Sequence, residues 1–209
     1  MAFPTSPSNN QVHKEGNRAF VYDSTSGTWD QLRESTSQYG DVLQGKIDAG
    51  VTGFTGIKHA SLWRLIADFN GDADPVTNME EDDQPVGFGR IGAPMQLVGG
   101  RFTFPQTGYW LIMVSWTWGS GGGDERQCGL GINTTTNNSS YLTAAWTTQG
   151  LKYVSGTTFA NAQATHIFDV TNTATHKCSV RVDPTTNVTS KGETTYNRGT
   201  IAFVRIGDT

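Results

Sequence analysis

The sequence is poor in charged residues, and it has no long apolar run. Charged residues make up 16% of the 209 positions, against roughly 25% in typical globular domains. The net charge of −4 offers no basic stripe of the kind that binds nucleic acid. No stretch approaches the roughly 18 apolar residues of a membrane span, so no transmembrane helix is expected. These shortages argue against nucleic-acid binding and membrane insertion.

Cysteine is also scarce. Only Cys128 and Cys178 are present, which is too few for the disulfide framework of small secreted domains. Whether these two form a bond with each other depends on a distance that the sequence does not give. The first ten residues carry neither a basic segment nor an apolar core, so no secretory signal is expected. We therefore expect synthesis in a cytoplasm.

What the sequence does contain is a strand that is apolar on both faces. It follows a turn at residues 106–108 and runs to Trp118. An antiparallel sheet normally buries one face and exposes the other, so the second face of this strand needs a cover. We expect another copy of the chain to supply it. At period two, one face carries Tyr109, Leu111 and Met113, and the other carries Trp110, Ile112, Val114, Trp116 and Trp118.

The last segment, residues 199–209, repeats this pattern. Ile201 and Phe203 alternate there with other apolar side chains. Alternation alone leaves open which face of each strand points at another copy. The candidates for the interface between copies are Tyr109, Leu111, Met113, Ile201 and Phe203.

Between these two segments lie short runs rich in Thr, Val and aromatic residues. Each run is bounded by Gly, Asn, Ser or Pro, and no window shows a helical period, which is typical of an all-β sandwich. We predict a jelly-roll β-sandwich over residues 59–209. The runs span residues 128–132, 141–147, 165–170 and 177–182.

The sequence before the sandwich divides into two parts. Residues 1–32 predict a β-hairpin with Phe20, Tyr22 and Trp29 on one apolar face. A lone hairpin is marginal in water, so we expect this face to anchor the chain on something else. Residues 33–58 form a polar connector punctuated by glycine, too short and too poor in proline for collagen.

Four segments of the sandwich together resemble the C1q/TNF-like jelly roll, in the form found in phage virion proteins. The resemblance covers most of residues 60–209 and implies ten-stranded protomers packed as a homotrimer. Its most specific parts are the Phe-Pro-x-x-Gly-Tyr turn and the terminal Phe-x-Arg-Ile-Gly-Asp. The segments are Ser61-Leu-Trp-Arg, Phe102-Thr-Phe-Pro-Gln-Thr-Gly-Tyr-Trp-Leu-Ile, Phe168-Asp-Val and Thr200-Ile-Ala-Phe-Val-Arg-Ile-Gly-Asp-Thr.

The N-terminus is similar to a module that recurs in marine phage (cyanophage) fibre and virion proteins. The similarity rests on a Pro-x-Ser-Pro-x-Asn-x-Gln start followed by Tyr-Asp and Trp, and it implies a particle-proximal anchor that binds the major capsid protein or another virion protein. We expect a virion-surface structural protein that is made in the host cytoplasm, as a capsid decoration (cement or head-fibre) protein. The alternatives are a tail-fibre or tail-knob protein that binds a host glycan or receptor, and a C1q-like carbohydrate- or ligand-binding module.

Two motifs suggest ligands, and neither is complete. Residues 87–92 match G-x-G-x-x-G but lack the strand and helix that a dinucleotide site requires. Asp68, Asn70, Asp72 and Asp74 alternate like a calcium loop, although Gly and Glu are missing from the positions that an EF-hand needs. We expect a solvated acidic loop that includes residues 80–83; the alternative is Ca²⁺ binding by these side chains at a loop or on a trimer axis.

Catalytic patterns are missing as well. The sequence has no HExxH, CxxC or Gly-x-Ser-x-Gly motif. We therefore expect neither an enzyme nor a cofactor.

Overall fold

The computed structural model divides the chain into two compact units, Met1–Gly56 and Ile57–Thr209. All the regular elements of the described residues are strands, and none of these residues forms a helix long and apolar enough to cross a membrane. The predicted connector lies outside the described part up to residue 55, as do the first three residues of the G-x-G-x-x-G match. The structure describes residues 3–15, 18–32, 56–83, 90–120, 122–154, 156–184 and 187–209.

The first unit contains a three-stranded antiparallel sheet in the order β1-β2-β3. Its strands are β1 (Val12–Glu15), β2 (Arg18–Asp23) and β3 (Thr28–Leu32). The turn from β2 to β3 is held by the Asp23 carboxylate, which accepts hydrogen bonds from the Thr25 N–H at 2.8 Å and the Ser26 hydroxyl at 3.0 Å. These bonds lower the pKa of Asp23. The predicted hairpin is therefore present, and β1 is an addition that the sequence analysis missed.

The second unit is a sandwich of two antiparallel sheets, which confirms the predicted all-β class. One sheet has five strands, in the order β11-β10-β13-β8-β7. The other has seven strands around β9: β12 pairs with one edge of β9, and β14 and β15 share the other edge. In this sheet β5 pairs with β14, β4 pairs with β15, and β6 pairs with β4. The described residues of this unit form twelve strands, more than the ten implied by the resemblance, and five of the twelve are only two or three residues long. The strands are β4 (Ala60–Leu65), β5 (Phe69–Asn70), β6 (Met79–Glu81), β7 (Gln96–Val98), β8 (Arg101–Thr103), β9 (Gly108–Ser120), β10 (Glu125–Thr135), β11 (Leu142–Leu151), β12 (Thr158–Val170), β13 (Lys177–Asp183), β14 (Val188–Ser190) and β15 (Thr200–Gly207).

The core lies between the two sheets and depends on size matching along β9 and β12. In the register of these two strands, Ala160 lies opposite Trp118 and Ala162 lies opposite Trp116. The two indoles are fully buried and the two alanines nearly so. Small side chains beside large ones fill the layer at close packing without voids. The sheets meet through aromatic pairs such as Phe102 with Phe203, whose ring centroids are 4.9 Å apart.

The two cysteines face this core from β10 and β13 and are both free. The structure thus decides the question that the sequence left open, because no disulfide joins Cys128 to Cys178. Burial, with a smaller effect from the charge of Glu125, raises the pKa of the Cys128 thiol to about 12. Burial also raises the pKa of Cys178. Both thiols therefore stay protonated and behave as small apolar core residues.

The two most specific parts of the family resemblance contact each other. Arg205 is buried, and its Nε donates to the Thr107 carbonyl at 2.8 Å, while its Nη2 pairs with Asp208. The hydrogen bond and the charge of Arg205 lower the pKa of Asp208. Gly108 has φ +138°, and a Cβ there would meet the Gly207 carbonyl and lie 2.5 Å from Arg205 Nε. The turn before β9 is thereby locked to the end of β15.

This contact predicts a specific need for glycine at position 108. Gly108→Ala should lower the free energy of unfolding by at least about 1–3 kcal/mol, since an L-residue is strained at this φ and its Cβ would also displace Arg205. Gly122→Ala is the matched control, because a Cβ there has no heavy atom within 4 Å and should change stability by less than about 0.5 kcal/mol. Urea denaturation of both variants measures the difference. Equal stabilities would contradict this account of the turn.

Candidate functional site

The candidate site is the outer face of the seven-stranded sheet, centred on β9. The inward side chains of β9 are 0–2% exposed from Trp110 to Trp118, whereas the outward ones are open. Tyr109 is 41% exposed and Met113 is 38% exposed, with Leu111 half-buried between them. The strand therefore divides its apolar side chains between the core and the surface, as its alternation predicts.

Neighbouring strands extend this surface on both sides of β9. Pairing places Val204 of β15 and Ile167 of β12 on either side of Leu111, and Ile167 is 56% exposed. The next row places Ala202 beside Met113. Side chains opposite one another in adjacent strands are close enough to form one continuous patch. The outer face is thus apolar across three strands in the row of Leu111, whereas β12 places Asp169 beside Tyr109 and Thr165 beside Met113.

The structure corrects two of the five interface candidates. Ile201 and Phe203 are 0% exposed and lie in the core of their own protomer, so they are not on the outer face. The reason is the register, which pairs Phe203 with the inward residue Ile112. Both faces of β15 are apolar, so alternation could not choose between them. Val204, with Ala202, occupies the outward position that had been assigned to these two residues.

Ile167 was missed, although the sequence carried a signal for it. It lies next to Phe168, which is buried in the core. Two adjacent large apolar residues in one strand must point to opposite faces. The pair therefore indicates that β12, like β9, is apolar on its outer side.

A shallow groove of about 190 Å³ lies on this face between the rows of Met113 and Ser115. Its lining mixes apolar atoms with hydroxyl and amide groups that include Ser115, Gln163 and Thr200. The outer face thus changes along β9 from apolar around Leu111 to polar beyond Met113. A complementary surface would have to follow the same gradient.

The acidic run at residues 80–83 is a second correction, because it is not simply a solvated loop. Arg64 is 1% exposed and pairs with Glu80 at 2.7 Å, with Asp82 at 2.9 Å and with Asp83. Burial alone would lower the pKa of the Arg64 guanidinium, but the hydrogen bond and charge of Glu80, with the charges of Asp82 and Asp83, raise it. Glu81 pairs with Arg90 at 2.7 Å. The acidic run therefore covers a buried cation at the edge of the outer face.

The predicted calcium ligands do not converge on one point. Asp68 accepts from Lys191 Nζ at 2.7 Å, and Asn70 accepts from the Thr189 hydroxyl at 2.7 Å. Asp74 instead accepts from Asn133 of the other sheet at 3.0 Å. Across the part of the chain that the structure describes, no three His, Cys, Asp or Glu side chains lie close enough to hold a metal ion. Asp72 is exposed.

The three anchor candidates belong to one aromatic cluster in the N-terminal unit. Phe3 stacks on Trp29 at a centroid distance of 5.1 Å and meets Phe20 edge-on at 5.1 Å. Tyr22 lies 5.3 Å from Trp29. Phe20 is only 7% exposed, so it supports the cluster, while Tyr22 and Trp29 are half-exposed and present it to the surface.

Comparison with known proteins identifies the fold. No protein-family model and no curated protein matches the chain. Among solved structures, Eiger TNF from S. frugiperda matches with 14% identity and a TM-score of 0.51, over 74% of this chain and 96% of that one. Murine APRIL matches with 11% identity and a TM-score of 0.48, over 71% of this chain and 98% of its own. At this identity the likeness to Eiger TNF shows the fold alone, which is a TNF-like jelly roll.

The Arg64 cluster predicts a large loss of stability when its cation is removed. Arg64→Ala should lower the free energy of unfolding by about 3–5 kcal/mol, because removing the cation of a buried ion pair removes the attraction that offsets the cost of burying the carboxylate. The buried carboxylate here is that of Asp82, since only 5% of its side chain is exposed. Arg90→Ala is the control, since this arginine is 39% exposed in its pair with Glu81 and such a pair contributes at most about 1 kcal/mol. Thermal and urea unfolding compare the two variants. Losses of similar size would show that the Arg64 pairs are effectively solvated.

Proposed function

We propose that the chain is a homotrimeric structural protein of a phage virion, a capsid decoration or head-fibre protein. In this role the jelly roll forms an outward knob and the N-terminal unit attaches it to the particle. The protein binds and assembles, and it does not catalyse a reaction. The observation that carries the proposal is the apolar outer face of the seven-stranded sheet.

The outer face supports assembly because it is apolar where a solvated sheet would be polar. Three of its side chains, Tyr109, Met113 and Ile167, expose 38–56% of their surface in the single chain. Contiguous exposed apolar patches on soluble proteins mark interaction sites. Each large apolar side chain that becomes fully buried contributes about 1.5–3 kcal/mol. Three copies around a threefold axis would bury this patch without leaving an open end.

The N-terminal unit supports attachment because it is a compact unit of its own and carries an aromatic surface. The unit ends at Gly56, and Tyr22 and Trp29 remain half-exposed on its cluster. Tyrosine and tryptophan dominate the energetic centres of protein interfaces. The resemblance of residues 4–11 to the particle-proximal module of marine phage proteins supports a capsid or tail protein as the partner of this surface.

The assembly proposal predicts the mass of the protein in solution. Light scattering at micromolar concentration should give about three times the chain mass of 22.6 kDa. Met113→Glu should give a folded monomer, because burying an unpaired carboxylate between copies is strongly unfavourable. Leu142→Glu is the control, since Leu142 is 73% exposed on the other sheet and should leave the trimer intact.

A wild-type monomer under these conditions would overturn the proposed trimer. A Met113→Glu protein that keeps the trimer mass would instead show that the copies meet through another surface. Far-UV circular dichroism of each variant establishes that the β-sandwich is still folded.

The attachment proposal predicts that the two units act separately. A chain that starts at Ile57 should still form the trimeric knob, because the jelly roll has its own core, but it should no longer bind virions in co-sedimentation. Tyr22→Ala in the full chain should weaken binding and leave the trimer mass unchanged. Virion binding by the truncated chain at the full-length level would refute the anchor.

Counting copies per virion then places the protein. Decoration of the capsid requires an abundance comparable with that of the major capsid protein. A few trimers per particle would move the protein to a tail fibre or tail knob.

A further inference from the structure

The outer face of the five-stranded sheet carries an exposed indole that lies flat on two glycines. The side chain of Trp146, on β11, extends across β10. A Cβ on Gly131 would lie 2.8 Å from Cε3 of Trp146, and a Cβ on Gly129 would also meet the Trp146 ring. The side chain is 40% exposed. Glycine inside a strand is destabilising and marks a place where another group approaches the backbone closely. Here that group is the indole, which is held flat and rigid against the sheet.

A guanidinium and two carboxylates border this indole. Arg181 of β13 lies opposite Gly131, and its guanidinium carbon is 5.3 Å from the indole centroid, within cation–π range. Asp183 lies opposite Gly129 and pairs with Arg181 at 3.3 Å. Asp74 lies 3.8 Å from Arg181. The side chains of these three residues are each 38–46% exposed.

An amide and a hydroxyl continue the polar border. Asn133 donates to Asp74 at 3.0 Å and accepts from the Thr143 hydroxyl at 2.9 Å. The carboxylates keep free acceptor capacity, and the guanidinium keeps free donor capacity, because each group has more sites than these bonds use. The surface thus offers both donors and acceptors beside a flat apolar side chain.

From this arrangement we infer that Trp146, Arg181, Asp183 and Asp74 form a saccharide-binding site. A pyranose ring presents an apolar C–H face and a rim of hydroxyl groups that both donate and accept. The indole matches the C–H face, and the carboxylates and the guanidinium match the rim of hydroxyl groups. Ligand-binding sites usually combine an apolar lining with a few placed polar groups in this way.

A protein partner fits this surface less well than a sugar does. The Arg181 guanidinium lies directly over the indole at the centre of this surface, whereas the centre of a protein interface is depleted of charged residues. The site also lies on the opposite side of the sandwich from Met113 and Ile167. It therefore stays accessible if three copies assemble through the other sheet. The inference does not depend on the proposed virion role, although a trimer would present three sites and gain avidity.

Binding of the full-length protein to a printed array of microbial and plant oligosaccharides tests the inference. Isothermal titration calorimetry with the best-binding oligosaccharide then gives the affinity per site. Trp146→Ala should weaken this affinity at least tenfold. Gly131→Ala should weaken it similarly, because its Cβ displaces the indole while the tryptophan is retained. Tyr196→Ala is the matched control, since Tyr196 is 49% exposed and lies outside the site. The affinity of this variant for the oligosaccharide should equal that of the wild type.

Each remaining outcome decides the matter. Absence of binding by the wild type at millimolar oligosaccharide, or unchanged affinity in Trp146→Ala, overturns the site. A loss of trimer mass in Trp146→Ala also overturns it, because the indole would then be a contact between copies. If Trp146→Ala fails to fold, Arg181→Lys decides, since it keeps the charge and loses the planar donor fork; a fivefold weakening supports the site, and unchanged affinity overturns it. Equal affinity per site in Met113→Glu would show that the site works whether or not the trimer forms.

Discussion

Strand β9 is the element on which the jelly roll depends, because it pairs along both edges and is apolar on both faces. β12 lies along one edge for the whole length of β9, and β15 and β14 share the other edge. Its inward indoles fill the core beside the alanines of β12. Its outward side chains, Tyr109, Leu111 and Met113, cannot then be buried by the same protomer. The constraint that builds the sandwich is thus also the one that leaves an apolar surface in need of a partner.

The sequence predicts those parts of the fold and of the candidate site in which apolar and polar residues alternate without ambiguity. The two apolar faces of β9 are visible in its alternation, and so is the hairpin around Phe20 and Trp29. The first half of β12 was not predicted as a strand, because its alanines have low strand propensity. Their role is visible only in the structure, where they pack beside Trp116 and Trp118. The face of β15 escaped because both of its faces are apolar. The acidic run was misread because its partner, Arg64, lies 16–19 residues earlier in the chain, and a charge run shows its partner only in three dimensions.

The two outer faces of the sandwich differ in the kind of partner that each one suits. The seven-stranded sheet exposes aliphatic and aromatic side chains in adjacent rows, which suits burial against a copy of the same chain. The five-stranded sheet exposes one indole within a charged and hydroxylated border, which suits a small polar ligand. The N-terminal unit adds a third surface, in which Phe3 and Phe20 hold Tyr22 and Trp29 in place. A trimeric knob that is attached by one unit and open on its outer sheet would use all three surfaces.

Hydroxyl-radical footprinting of the wild-type protein in solution tests most directly whether the outer face of the seven-stranded sheet is the assembly surface. Met113 is 38% exposed in the single chain, whereas Met79 and Met95 are 7% and 3% exposed. Burial of this face between copies predicts that Met113 is protected from oxidation as strongly as Met79 and Met95. Trp146, which is 40% exposed on the other sheet, should remain reactive and serves as the internal reference. Rapid oxidation of Met113, in proportion to its exposure in the single chain, would contradict assembly through this face.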